Sequence, residues 1–303
     1  MKKSMSLDTL LEGARKNPGR VVVPLAENHE ALEGVVMAMK DLVVTGGTLI
    51  GNPEAIRKVA GDVKLPLDRF DIIDCPEPMA AGDTAARLVA DGKGDFLLKG
   101  QIDTKIYMKA VLNKELGLVP PGTILSHVAI MDLPSYHKLL IATDAAITIE
   151  PGVDEKLQLV SNAVDVAHRL GIDNPKVAMI AAAEKVNPKM TSTVHADEVV
   201  KKAKAGHIKD AVVEGPYDLY IAVSKEGAET KKITGAVCGD ADILVFPDIN
   251  SANVFYKTVH QFVQGARVAG LIAGAKIPVV LPSRADPATT KRMSLIVAAF
   301  LKK

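Results

Sequence analysis

The sequence predicts an α/β protein with mostly parallel sheets, divided into two domains. Three observations lead there. Short β-branched runs alternate with helical segments along the whole chain. Hydrophobic residues make up 48% of the sequence while aromatics make up only 4%, with no Trp, so the core is built from Ala, Val, Leu and Ile. That composition suits helices layered on a buried parallel sheet. Finally, 303 residues exceed the size at which one core usually keeps growing.

Taken in order, Arg20-Val21-Val22-Val23-Pro24 followed by the helix-like stretch Asn28 to Asp41 is a βα unit. Strands are expected at 48–51, 70–74, 95–99 and 124–131, with helices near 54–60, 80–90 and 105–113. The second half opens with a strand at 138–143 and a helix over 154–170. It continues with strands at 176–183, 210–214 and 242–246 and the amphipathic segment Ala252 to Phe262. A last strand, 276–281, leads through Pro282-Ser283-Arg284-Ala285 into a helix that starts at Asp286-Pro287 and buries Met293, Ile296, Val297 and Phe300. The Pro/Gly cluster at 119–122 and Pro134 read as turns, and the domain boundary is placed near Tyr136.

Charge and motif content remove several functions. Lys plus Arg number 37 against 36 Asp plus Glu, so no basic field for nucleic acid exists and any anion site must be local. The first residues offer no apolar stretch of the signal-peptide kind, and runs such as Leu295 to Leu301 fall short of the ~20 residues that span a bilayer. A cytoplasmic protein with no membrane partner is expected. Cys75 and Cys238 show no C-x-x-C pattern and read as reduced thiols. Nucleotide-binding glycine motifs are missing, since Thr45-Gly46-Gly47-Thr48 fits neither form, and there is no G-x-S-x-G elbow. The seven His have no metal-ligand spacing, so no metal is expected.

The most informative local feature is Pro282-Ser283-Arg284-Ala285-Asp286-Pro287, which joins the end of a strand to the start of a helix. Free backbone N–H groups and the helix dipole favour an anion there, and a guanidinium matches phosphate oxygens. An equally good reading has Asp286 cap the helix, Pro287 occupy its first turn and Arg284 sit in solvent. Other polar residues fall at strand ends: Lys99-Gly100, Ser126-His127, Thr143-Asp144, Glu184 with Asn187-Pro188, Glu214-Gly215-Pro216 and Asp248 with Asn250. The carboxyl ends of strands line the ligand crevice in open α/β sheets, so these residues predict a polar rim. Each alone is also an ordinary turn or cap residue, and capping is the preferred reading of Asp248 and Asn250. Lys257 also fits a solvated helix face.

Together these segments resemble the family of phosphate acetyltransferases and phosphate butyryltransferases. The matching pieces, in the family's order, are Lys99-Gly100, Ile124 to Val128, Ala142 to Ala146, Val186 to Met190, Glu214 to Pro216, Ala241 to Leu244, Asn253 to Lys257 and Ser283 to Asp286. Ser-His-Val, Asn-Pro-Lys-Met and Ser-Arg-Ala-Asp look closest to the butyryltransferase branch. The resemblance implies two α/β domains, 1–136 completed by 275–303 and 137–274, with the active site in an interdomain cleft. It also implies a homodimer or larger homo-oligomer. The implied reaction moves a short acyl group between coenzyme A and inorganic phosphate, with coenzyme A as substrate and no bound cofactor.

On the same resemblance, Ser283 donates to the developing oxyanion, Arg284 anchors phosphate and Asp286 is the best base. Acetyl-transferring relatives tend to place an Asp where this chain has Thr289 or Thr290. They often carry a phosphate-holding Arg near Lys105 to Lys109, where Lys105 or Lys109 substitutes without its bidentate geometry. Lys99, Gly100, Ser126, His127, Asp144, Asn187, Glu214, Gly215, Pro216, Asn253 and Lys257 are the implied substrate-binding positions. The rival readings are an acyl-carrier-protein-dependent phosphate acyltransferase, a metal-dependent hydroxyacid-type dehydrogenase and a non-catalytic coenzyme A or acyl-phosphate-binding regulator. The dehydrogenase would need convergent metal-binding Asp or His residues.

Overall fold

Ser6 starts the first helix, α1 (Leu7–Ala14), through a capping box in which its hydroxyl accepts from Thr9 N (3.3 Å) while Thr9 Oγ1 accepts from Ser6 N (2.9 Å). The computed structural model describes residues 5–283 and 285–302. The β-branched run then forms β1 (Gly19–Pro24), and a repeating scheme follows in which a polar cap after each strand opens the next helix. Asn28 caps α2 (His29–Lys40) after β1; Asn52 caps α3 (Pro53–Val63) after β2 (Val44–Gly51). Glu77 caps α4 (Pro78–Ala90) after β3 (Phe70–Asp74), and Asp103 caps α5 (Thr104–Val111) after β4 (Phe96–Leu98).

The middle of the chain holds β5 (Ser126–Asp132), β6 (Leu140–Thr143), α6 (Val153–Arg169), β7 (Lys176–Ile180) and α7 (Thr191–Lys202). After these come β8 (Val212–Tyr217), α8 (Leu219–Val223), α9 (Lys225–Thr230), β9 (Ile243–Val245) and α10 (Ile249–Phe262). The chain closes with β10 (Arg267–Ala273), β11 (Val279–Val280) and α11 (Ala288–Leu301).

By compactness the chain forms two units, one of Met5–Thr123 with Arg267–Lys303 and one of Ile124–Ala266. The first has strand order β3-β2-β1-β4-β11-β10, parallel except for the β10–β11 pair. The second runs β5-β6-β9-β7-β8, parallel except for the β5–β6 hairpin. The boundary expected near Tyr136 falls inside that hairpin. Val128 pairs with Thr143 and Met131 with Leu140, so both strands share one unit.

Local rules explain what the sequence concealed. Thr45-Gly46-Gly47-Thr48 is strand, and a Cβ on Gly47 would lie 1.8 Å from the Val21 carbonyl oxygen of the neighbouring β1. The glycines serve close strand approach rather than a nucleotide. The strand expected at 210–214 continues through Gly215-Pro216 to Tyr217, which is possible because β8 is the edge strand of its sheet. Strand β10 reads Arg-Val-Ala-Gly-Leu-Ile-Ala, with weak strand propensity, and is fixed by pairing Leu271 with Val280 and Ile272 with Val279. Helices α1, α7, α8 and α9 were likewise not anticipated.

α11 is buried along most of its length, including Leu295, Val297, Ala298 and Ala299 at 0% exposure. Phe300, expected inside, is half-buried. The Arg292 guanidinium grips both oxygens of Asp41 (2.5 and 3.0 Å), tying α11 to the C-terminal cap of α2.

At the amino ends of β7 and β9 and just before β6, Asp240 takes ion pairs from Lys138 (2.9 Å), Lys176 (2.5 Å) and His137 (2.7 Å), while Lys138 also reaches Asp242 (2.7 Å). Burial alone would raise the Asp240 pKa, but hydrogen bonds from Lys176, Lys138 and His137 outweigh it and hold the carboxyl well below the usual range. A depressed carboxylate pKa contributes stability above the unfolded-state value of about 3.9 that is lost as pH falls toward the folded-state value. Asp240→Asn should therefore be less stable than wild type at pH 6–7, with the gap narrowing steadily below about pH 4 in urea titrations. A gap independent of pH would remove Asp240 from the acid response.

Candidate active site

In the unit built from Met5–Thr123 and the segment that starts at Arg267, the carboxyl ends of β1, β4 and β11 lie side by side because the three strands are parallel neighbours. The backbone N–H of Lys99 donates to Val280 O (3.1 Å) and that of Gln101 to Leu25 O (2.7 Å). Gly100 lies where a Cβ would come 2.3 Å from Leu25 O, so a side chain there would push the two strand ends apart. Lys99 itself is only 3% exposed. A lysine kept that far from water is expected to meet negative groups at its tip.

β11 runs out through Leu281 and Pro282 into a tight turn. Asp286 N–H donates to Ser283 O (3.1 Å), and the Asp286 carboxylate accepts from Ser283 N–H (2.7 Å). Pro287 occupies the cap position of α11, with no side-chain cap. This corrects the capping alternative for Asp286: its carboxylate points back into the turn, not at the helix N-terminus. Ser283 is exposed, Asp286 buried, Thr289 exposed and Thr290 buried. Arg284 lies outside the described residues. Lys105 and Lys109 are exposed on α5, one turn apart.

In the unit Ile124–Ala266, the parallel strands β6, β9, β7 and β8 present their carboxyl ends on one edge. Ser126 and His127 stand at the start of β5, yet reach the same edge because β5 runs antiparallel to β6. Thr143 Oγ1 donates to His127 O (2.9 Å). The buried Asp144 carboxylate accepts three backbone N–H groups, from Ala146 (2.9 Å), Ile147 (3.0 Å) and Thr148 (3.1 Å), and so shapes its own loop. Asn253 on α10 pins that loop through Ala145 O (2.9 Å). Lys257, one turn further along α10, is exposed.

Ser126, His127, Asp144 and Asn253 are thus brought together. Asn187 and Glu214 belong to other loops. Asn187 accepts from Lys189 N (3.0 Å) and binds Thr193 Oγ1 through its own N–H (2.9 Å), folding the turn before α7. Glu214, beside the cis Gly215–Pro216 peptide, accepts from Tyr217 Oη (3.1 Å), Ala236 N (3.1 Å) and Val237 N (3.0 Å). Asp248 caps α10 through Ser251 N (2.9 Å), as expected, whereas Asn250, also read as a cap, lies inside the helix one residue after its start. Glu184 forms an ion pair with Lys231, which also contacts Asp218.

Two polar residues with a place in these rims escaped the sequence reading. Asn162 on α6 donates to Ile124 O (2.8 Å) and Ser126 Oγ (3.0 Å), and Lys291 on α11 reaches Asp286 O (2.5 Å). A signal existed for Lys291. It shares the spacing of the buried Ser294, Leu295 and Ala298, a charged residue on an inward face. Among the described residues no group of three or more His, Cys, Asp or Glu side chains is placed to hold a metal ion, and no helix is long and apolar enough to cross a membrane.

Polar loops at the carboxyl edges of parallel strands, with a turn feeding a helix N-terminus, define an α/β protein of the small-molecule-binding class. Known proteins narrow the class. The model of the phosphate acetyl/butaryl transferase family matches residues 79–299. The phosphate butyryltransferase of Clostridium beijerinckii is 40% identical over 299 residues, covering 98% of each chain. The phosphate acetyltransferase of Thermotoga maritima is 38% identical over 295 residues, covering 97% of this chain and 99% of that one. The crystal structure of a branched-chain phosphotransacylase from Enterococcus faecalis superimposes with a TM-score of 0.82 at 35% identity, covering 93% of this chain and 98% of that one. The chain belongs to the phosphate acetyl/butaryl transferase family.

Asp286→Asn separates the turn-forming part that the structure shows for this carboxylate from the base role that the sequence resemblance implies. Asn retains an oxygen for the Ser283 N–H but cannot accept a proton, so turnover should fall by roughly 100-fold or more while the melting temperature stays near wild type. Parallel kinetics and thermal melts check this; equal losses in both would leave Asp286 as a turn former only.

Proposed function

We propose that the chain catalyses reversible acyl transfer between coenzyme A and inorganic phosphate, with Ser283, Arg284 and Asp286 as its catalytic residues. The observation that carries this reading is the turn at Ser283–Asp286, built on the end of β11 at an α11 N-terminus that no side chain caps. Backbone donors and the helix dipole at such a place favour a phosphate. A phosphate oxygen attacks the thioester carbonyl carbon, and the carbonyl electron pair moves to oxygen, where the Ser283 hydroxyl donates a hydrogen bond. Collapse of this adduct breaks the C–S bond. The proton that phosphate gives up ends on the departing sulfur, carried by Asp286 in the direction of acyl phosphate synthesis and taken by it from the thiol in reverse. Arg284 neutralises the phosphate throughout. No covalent enzyme intermediate is required.

Lys99, Gly100, Ser126, His127, Asp144, Asn187, Glu214, Gly215, Pro216, Asn253 and Lys257 remain the proposed substrate-binding positions. The hydrogen bonds above give Asp144, Asn187 and Glu214 a loop-shaping part in that task. Butyryl or a branched relative is the proposed acyl group, supported by the relatives named for butyryl and branched-chain transfer. A cytoplasmic homodimer or larger homo-oligomer completes the reading, and sedimentation measures the assembly.

The purified protein, without added metal or nucleotide, should release coenzyme A from butyryl-coenzyme A only when phosphate is present, with kcat/KM above that for acetyl-coenzyme A. Phosphate-independent release, or none with any short acyl thioester, would sink the reading. Arg284→Ala should lose about 100- to 1000-fold in rate, the cost of one transition-state donor, and Arg284→Lys should recover only part of it. Near-normal kcat and phosphate KM in Arg284→Ala would return Arg284 to the surface.

A further inference from the structure

Lys291 is a lysine in a costly place. It is 2% exposed, and it sits in the first turns of α11, where the helix dipole disfavours positive charge. Burial lowers its pKa, while Asp286 and Glu30 favour the charged form. Replacing a buried charge by an apolar side chain of similar volume is often neutral or stabilising, so stability alone gives little reason for a lysine here.

Its surroundings aim it at the turn. On α2, Gly34 leaves room for the lysine stem: a Cβ there would meet Lys291 Cβ at 2.8 Å and Ala288 O at 3.1 Å. Glu30, one turn earlier on the same helix, faces the same region electrostatically. The ammonium donates to the carbonyl oxygen of Asp286 at 2.5 Å. That residue closes the turn through both its N–H and its carboxylate, each bonded to Ser283. Lys291 therefore grips the turn from inside the protein, opposite its exposed residues Ser283 and Ala285.

We propose that Lys291 is a positioning residue for phosphate: its buried ammonium holds the Asp286 carbonyl, fixes the Ser283–Asp286 turn and places a positive charge behind it. This rests on the acyl-transfer reading for its substrate. The anion it serves is inorganic phosphate or the phosphoryl end of an acyl phosphate.

The test compares wild type with Lys291→Met, which keeps the stem and volume and removes charge and donor. Losing a charge-assisted hydrogen bond behind the turn should raise the KM for phosphate on the order of 10- to 100-fold. The KM for acyl-coenzyme A should stay within about twofold of wild type, and the melting temperature without phosphate should be equal or higher. Phosphate alone should raise the melting temperature of wild type more than that of Lys291→Met. If Lys291→Met does not fold, Lys291→Gln, which keeps a donor without the charge, carries the same expectation; failure of both to fold would overturn the proposal in favour of a purely structural lysine. Wild-type phosphate KM in a folded variant, or equal rises in both KM values, would also overturn it. If wild type shows phosphate-dependent stabilisation that Lys291→Met loses, but no acyl transfer, the acyl-transfer reading falls and Lys291 keeps its role.

Discussion

Strand β4 must pair its backbone on both edges, because Phe96, Leu97 and Leu98 are buried and an unpaired buried N–H or C=O costs about as much as a lost hydrogen bond. One edge is met by β1. The other is met by the C-terminal segment: Leu97 N–H donates to Pro278 O (3.1 Å) and Lys99 N–H to Val280 O (3.1 Å). The buried Tyr107 hydroxyl reaches Leu97 O (3.0 Å) and Val280 O (3.2 Å) across the same seam. This pairing returns the end of the chain to its beginning. It sets β11 parallel to β4, and so delivers Ser283–Asp286 to the strand-end rim where Lys99 and Gly100 already stand.

The two edges of the parallel sheet in the Ile124–Ala266 unit divide the labour. At the amino edge, Asp240 and Asp242 gather Lys138, Lys176 and His137 into an ion-paired cluster that pins the strand starts. At the carboxyl edge, polar groups are spent on shaping loops: Asp144 on three amides, Asn253 on Ala145 O, Glu214 on Ala236 and Val237. Loop residues that bond to backbone hold their neighbours' shape with little freedom, and a site made of such loops pays less to order itself on binding.

Local charge replaces global charge. A chain with formal charge +1 has no long-range field to collect an anionic substrate. Lys99 and Lys291 instead lie at 3% and 2% exposure in the unit that holds the Ser283–Asp286 turn, where the proposed function puts the phosphate. Away from water such charges act through a lower dielectric and are felt more strongly at short range.

The sequence by itself determined the α/β class, the order of most elements, the polar strand ends and the family, because these follow from periodicity, helix caps and motifs read within a few residues. The β1–α2 unit, the Asp248 cap and the helix after Ser283 are of this kind. Tertiary structure decided what depends on partners distant in the chain. It made β10 a strand despite Ala and Gly, let Pro216 stay inside an edge strand, and brought Ser126 to the rim by running β5 backwards against β6. It also turned the Asp286 carboxylate toward Ser283, and buried Lys291 behind it. Each of these was set by which backbone or side chain filled the opposite side of a contact, and a linear pattern carries no record of that.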